Sequence, residues 1–144
     1  MTELRWDLDL QSNVDLDRPV LAVAFRGLFD ASGAATSALE WISDYFPTTK
    51  LGHIDPETFF DFTQERPTVS FGENGGRELH WPANEIVAVK TPDGQRDLVV
   101  IAGVEPHLRW RTFSAALAEI AEEIRAETVT TLGSMIGMIP HTRP

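Results

Sequence analysis

The sequence has no cysteine. That excludes disulfide staples, thiolate metal ligands and cysteine nucleophiles, and it suits a reducing, cytoplasmic setting. Basic residues are scarce: 12 Lys plus Arg stand against 22 Asp plus Glu, for a net charge of -10. Such a balance opposes nucleic acid and anionic membrane, which are themselves negative, and leaves basic protein partners open. Long apolar runs are missing as well. None approaches the roughly 20 residues that cross a bilayer, and the opening MTELRWDLDL lacks the basic and apolar regions of a secretory signal. Repeats and low-complexity tracts are also absent. What remains is 144 residues with 42% hydrophobic and 24% charged content, enough for one globular domain with a real core.

The organising stretch runs from residue 18 to 46. Val20, Leu21, Ala22, Val23, Ala24 and Phe25 form a short continuous apolar run, the pattern of a strand covered on both faces. Gly27, Asp30, Ser32 and Gly33 break it. Ala35, Ala38, Leu39, Ile42, Tyr45 and Phe46 then follow at the spacing of one helix face, and Pro47 ends the helix. In open α/β sheets, the loop from a strand's carboxyl end into the next helix is the usual ligand crevice.

Residues 1–17 read as a polar arm in which Leu4, Trp6, Leu8 and Leu10 alternate with charge, the pattern of an edge strand or a loose extension. Residues 18–144 read as the α/β domain. Residues 50–54 suit a short strand, closed by Asp55-Pro56. Phe59, Phe60 and Phe62 suit a short helix or turn that caps the core. Residues 68–71 and 79–81 flank Glu73-Asn74-Gly75-Gly76, a tight hairpin turn. A second hairpin pairs residues 86–90 with the apolar run 98–102, which suits a central strand. The spacing predicts a helix over 110–127, with Trp110, Phe113, Leu117, Ile120, Ala121 and Ile124 on its buried face. A further buried strand is expected over 128–132, then a Gly/Pro-rich loop. This order implies a parallel or mixed sheet with helices on its faces, and the fold class expected is α/β with a mixed sheet.

Four places carry polar chemistry. GLFDASG is neither a dinucleotide fingerprint nor a phosphate loop. In it, Asp30, Ser32, Gly27 and Gly33 either leave room for a ligand or only cap and turn the helix. EPHLRW offers Glu105 and Arg109 as an ion pair or as groups facing a polar ligand. PHTRP offers His141 and Arg143 as an anion-binding pair at a terminus. LGSMIG misses the nucleophile-elbow spacing, because Gly133 directly precedes Ser134, so a catalytic Ser134 is not expected. The four histidines are scattered, which predicts no metal site, and nothing implies a cofactor.

Taken in order, PVLAVAFRGLFDASGAA, IDPETFFDF followed by RPTV, WPANEI, GVEPHLRWRTF and TVTTLGSMIGMIPHTRP resemble one family. It is the actinobacterial-type branch of the proteasome assembly chaperone family named after the second eukaryotic chaperone. Its members often carry ATP-grasp or carboxylate–amine ligase-like labels. The likeness spans residues 18–144. It implies a three-layer α/β/α fold related to nucleoside phosphorylases and hydrolases, and for eukaryotic relatives it implies binding of proteasome α subunits. Family members usually continue past PHTRP, so the chain is expected to be the N-terminal part of a longer family domain. Some chaperone relatives dock through a hydrophobic–Tyr–any tail. This chain ends in Thr142-Arg143-Pro144, and its one tyrosine is Tyr45.

The expectation is a protein-binding or assembly module on a phosphorylase-like scaffold, with a proteasome-related protein or a second copy of itself as partner. The competing reading is a hydrolase or ligase acting on a nucleotide-like or amide substrate at the strand-end loops. Function lives in sites rather than folds, and no nucleophile–base set stands out.

Overall fold

The computed structural model describes residues 3–7, 15–92, 95–140 and 142. The apolar run becomes strand β2 (Val20–Arg26), which lies between β7 (Leu98–Val104) and β8 (Thr128–Thr131) and runs parallel to both. The sheet continues antiparallel from β7 through β6 (Asn84–Val89) and β3 (Thr48–Ile54) to β1 (Leu4–Trp6). The order is β1-β3-β6-β7-β2-β8. A separate hairpin, β4 (Thr68–Phe71) with β5 (Arg77–His80), stands off this sheet with every strand residue exposed.

Alternation within the central strands explains why they are apolar throughout. Leu21, Val23, Val99 and Ile101 face one core. It also holds Phe59 of the short helix α2 (Pro56–Phe59) and Phe113, Ala116 and Ile120 of α3 (Trp110–Glu123). Ala22, Ala24, Val89 and Val100 face the opposite core, together with Ala35 and Leu39 of α1 (Ala34–Tyr45). The two alanines of β2 leave room for a helix to lie close. Two covered faces make the three-layer α/β/α arrangement with a mixed sheet that the sequence predicts.

Asn84, the first residue of β6, is buried and extends the ladder with its side chain. Its Nδ2 donates to the Val104 carbonyl at 2.9 Å, and its Oδ1 accepts the Val104 N–H at 2.8 Å. A Cβ on Gly103 would lie 2.1 Å from that oxygen, so the glycine makes the bridge possible.

Three expectations are corrected. The helix predicted to reach residue 127 stops at Glu123. Arg125 takes a left-handed φ of 54°, its N–H goes to the Glu122 carbonyl, and Ala126 donates back to Ala121 at 2.8 Å. This is a Schellman closure with arginine where glycine is usual. Trp110 is 54% exposed at the helix start and does not belong to the buried stripe. Most consequentially, β8 is not buried. It is exposed along its whole length, because β2 is its one neighbour among the described residues. Of the two alternatives for the N-terminus, residues 4–6 take the edge-strand form. Leu8 and Leu10 lie outside the described residues.

Candidate functional site: the strand-end loops

Parallel strands put their carboxyl ends together, so the loops after β2, β7 and β8 share one edge of the sheet. They are stitched to one another. Glu105 donates its N–H to the Arg26 carbonyl at 3.1 Å, and its Oε2 accepts the Leu28 N–H at 3.3 Å. A Cβ on Gly27 would fall 2.0 Å from the Glu105 carboxyl carbon, so Gly27 gives that side chain its place. Between the first and third loops, Ser134 donates its N–H to the Phe29 carbonyl at 2.7 Å, and Ala31 donates to the Ser134 carbonyl at 3.1 Å.

Asp30 is buried beneath this edge. Its Oδ2 accepts the Thr36 hydroxyl at 2.5 Å, and its Oδ1 accepts the N–H groups of Ala35 at 2.8 Å and Thr36 at 3.2 Å. The Thr36 hydroxyl, followed by the N–H groups of Thr36 and Ala35, holds the carboxyl below its ordinary pKa against the opposing effect of burial. Asp30 thus satisfies free donors at the start of α1 and sits at the positive end of the helix dipole. Ser32 and Gly33, at φ 58° and 67°, make the left-handed turn that brings the helix over the carboxylate. Ser134 Oγ donates to the Ala31 carbonyl at 3.0 Å, an anchoring role for that hydroxyl.

The structure therefore gathers Gly27, Asp30, Ser32, Gly33 and Glu105 at one edge. Arg109 lies on the same side but is exposed, with φ 55°, and no ion pair joins it to Glu105 among the described residues. His141 and Arg143 lie outside the described residues. Beside the Arg109 loop, Asp61 donates its N–H to His107 Nδ1 at 3.1 Å. The Asp61 carboxylate accepts from the Thr63 hydroxyl and N–H and from Gln64, which lowers its pKa to about 2. No group of three or more potential metal-ligating side chains occurs among the described residues. Nor is any helix there long and apolar enough to cross a membrane.

Polar candidates were legible in the sequence, but the apolar surface around them was not. Leu28 and Phe29 on the first loop, Leu108 on the second with Trp110 at the start of α3 after it, and Met135 and Ile136 on the third are all more than half exposed. The available signal was large apolar residues on Gly- and Pro-rich loops, where no core position accounts for them. A separate groove of about 390 Å³ runs between α1 and β6, with Glu40, Asp44 and Glu85 at its rim and Val87, Val100 and Ala102 as its floor. Asp30 is not among the residues that line it.

Residues 24–144, including all three strand-end loops, match the model of the PAC2 family. The chain belongs to the PAC2 family. It is 37% identical to a PAC2 family protein from Streptomyces avermitilis, with a TM-score of 0.81 over 88% of this chain and 54% of that one. A proteasome-assembly chaperone homologue from Mycobacterium tuberculosis is 36% identical, with a TM-score of 0.78 over 87% of this chain and 53% of that one. A Corynebacterium glutamicum protein of unknown function shares the fold at 24% identity and a TM-score of 0.81. The chain spans about half the length of these solved relatives. No match was found among curated proteins. The six-stranded mixed sheet with helices on both faces is the part of the fold that this chain shares with its PAC2 family relatives.

Proposed function

We propose that this PAC2 chain is a protein-binding module of the assembly-chaperone kind, and that its strand-end edge is the surface that meets protein. The observation that carries this reading is the chemistry of that edge. Its polar groups are spent on capping and stitching, while large apolar side chains point outward on all three loops. Monomeric proteins rarely leave contiguous apolar patches beyond a few hundred Å², and larger ones mark interaction sites. The Mycobacterium relative described as a proteasome-assembly chaperone homologue supports a proteasome-related partner. The chain would work in the cytoplasm and self-associate. An enzyme would need a nucleophile, base or oxyanion donors converging on free space, and Asp30 and Ser134 are turned to structural work instead.

The test is titration of the chain with purified proteasome α subunits, followed by calorimetry, beside a thermal-shift screen with nucleotides. Saturable binding that falls at least tenfold in Leu28→Ser and Ile136→Ser, both exposed positions, supports the module. Absence of binding, together with a nucleotide-dependent rise in melting temperature, overturns it in favour of a small-molecule enzyme.

A further inference from the structure

His107 stands where two segments meet. The second strand-end loop runs past the residues at the end of α2, and three hydrogen bonds clip the two together. The N–H groups of His107 and Leu108 both donate to the Phe59 carbonyl, at 3.0 and 3.1 Å. The third bond belongs to the ring: Asp61 donates its backbone N–H to His107 Nδ1 at 3.1 Å. Phe60 packs edge-to-face with the same ring, at 5.8 Å between centroids.

The ring bond fixes the state of the imidazole. A backbone N–H only donates, so Nδ1 is the accepting nitrogen and carries no hydrogen. The neutral ring therefore keeps its hydrogen on Nε2. An imidazolium has hydrogens on both nitrogens and no acceptor left. Its Nδ1–H would face the Asp61 N–H, donor against donor, and the bond is lost.

A second partner lies within the same residue. The Asp61 carboxylate is held ionised first by the Thr63 hydroxyl, then by the Thr63 N–H and Gln64, and positive charge on His107 favours that form too. A protonated ring thus gains by turning its hydrogen from the Asp61 backbone towards the Asp61 carboxylate. The other charged groups of both segments are engaged or exposed. Glu57 is exposed, Glu65 pairs with Arg26 at the end of β2, and Arg66 donates to the Thr63 carbonyl. On the loop that carries His107, Glu105 accepts from Leu28 and Arg109 is exposed.

We infer that His107 is a proton-operated clip: neutral, it fastens the second strand-end loop to the turn at residues 61–65, and protonated, it lets the Asp61 N–H go. The first loop is tied to the same turn. The Asp61 carbonyl accepts the N–H groups of Gln64 and Glu65, and Glu65 holds Arg26. The clip acts on how the edge is held, and it does so whether or not that edge binds protein.

The experiment follows the 144-residue chain by nuclear magnetic resonance from about pH 8 to about pH 5, on either side of the range where imidazole takes up a proton. Ring nitrogen shifts read the tautomer. Hydrogen exchange, expressed as protection relative to an unstructured chain, reads the Asp61 amide. At the alkaline end the ring hydrogen is on Nε2. As the ring titrates, Asp61 protection falls about fivefold or more, the scale of one lost hydrogen bond. The Val100 amide, in a strand paired on both sides, keeps its protection. His107→Asn places an acceptor oxygen near the position of Nδ1 without a titrating group, so Asp61 stays protected at both ends of the range. His107→Gln places that oxygen near Nε2 instead, so protection is low at both ends. These results support the clip. A hydrogen on Nδ1 at the alkaline end, equal Asp61 protection at both ends, or an Asn variant that loses protection with the wild-type profile overturns it. The first two are read in the wild type, so a variant that fails to fold leaves them to decide.

Discussion

Replacing Asn84 with alanine should destabilise the chain sharply, and Gly103 supplies the control. The Asn84 amide makes two hydrogen bonds with Val104, one in each direction, from a side chain only 1% exposed. Each bond contributes about 1 kcal/mol net, and a half-buried N–H or C=O left unpaired costs more, so Asn84→Ala should lose about 2–4 kcal/mol. Gly103→Ala drives a methyl to 2.1 Å from Asn84 Oδ1 and 2.7 Å from Cγ, atoms of a buried side chain that cannot swing into solvent. Overpacking of that kind costs about 1–3 kcal/mol. In the Asn84→Ala background the nearest remaining Asn84 atom is Cβ at 3.3 Å, so the same methyl nearly fits. The double variant should therefore lose less than the two single variants added together, by about 1–3 kcal/mol. Urea unfolding of all four proteins, fitted at a common slope, measures this directly. Additivity within about 0.5 kcal/mol would refute the claim that Gly103 exists to admit the Asn84 amide.

Three further outcomes are expected. Ile120 is fully buried between α3 and the sheet, so Ile120→Ala should cost about 2–5 kcal/mol in urea unfolding, whereas Trp110→Ala, at an exposed helix start, should cost far less. Asp61 has its pKa lowered to about 2, with the Thr63 hydroxyl as the main cause. A folded-state pKa below the unfolded one contributes stability above the unfolded value near 4 that is lost as pH falls towards 2, and Asp61→Asn should flatten the melting temperature over that window. Gly27→Ala meets the carboxyl end of the half-buried Glu105, which can turn towards solvent, so it should cost under about 1 kcal/mol while freeing the Leu28 N–H to exchange faster.

Local patterning along the chain settles the elements and the layering. Apolar runs over Val20–Arg26 and Leu98–Val104 can be covered only on both faces, and helical spacing in Ala34–Tyr45 and Trp110–Glu123 supplies the covers. It also located the strand-end loops, because glycine, aspartate and proline punctuate strand ends through local backbone chemistry. What these side chains do was decided by tertiary structure. Asp30 capping α1 and stitching by Glu105 and Ser134 depend on which loops lie together, and that follows from three parallel strands whose partners are far apart in sequence. Strand position was not legible either. Thr128–Thr131 has the composition of a strand, but composition does not say whether one neighbour or two will pair with it. The early end of α3 had the same origin, in a left-handed Arg125 held by backbone bonds that no propensity for arginine would suggest. Local periodicity is a short-range property of the chain. Edge, centre and exposed patch belong to the packed sheet, and they decide which surfaces remain for a partner.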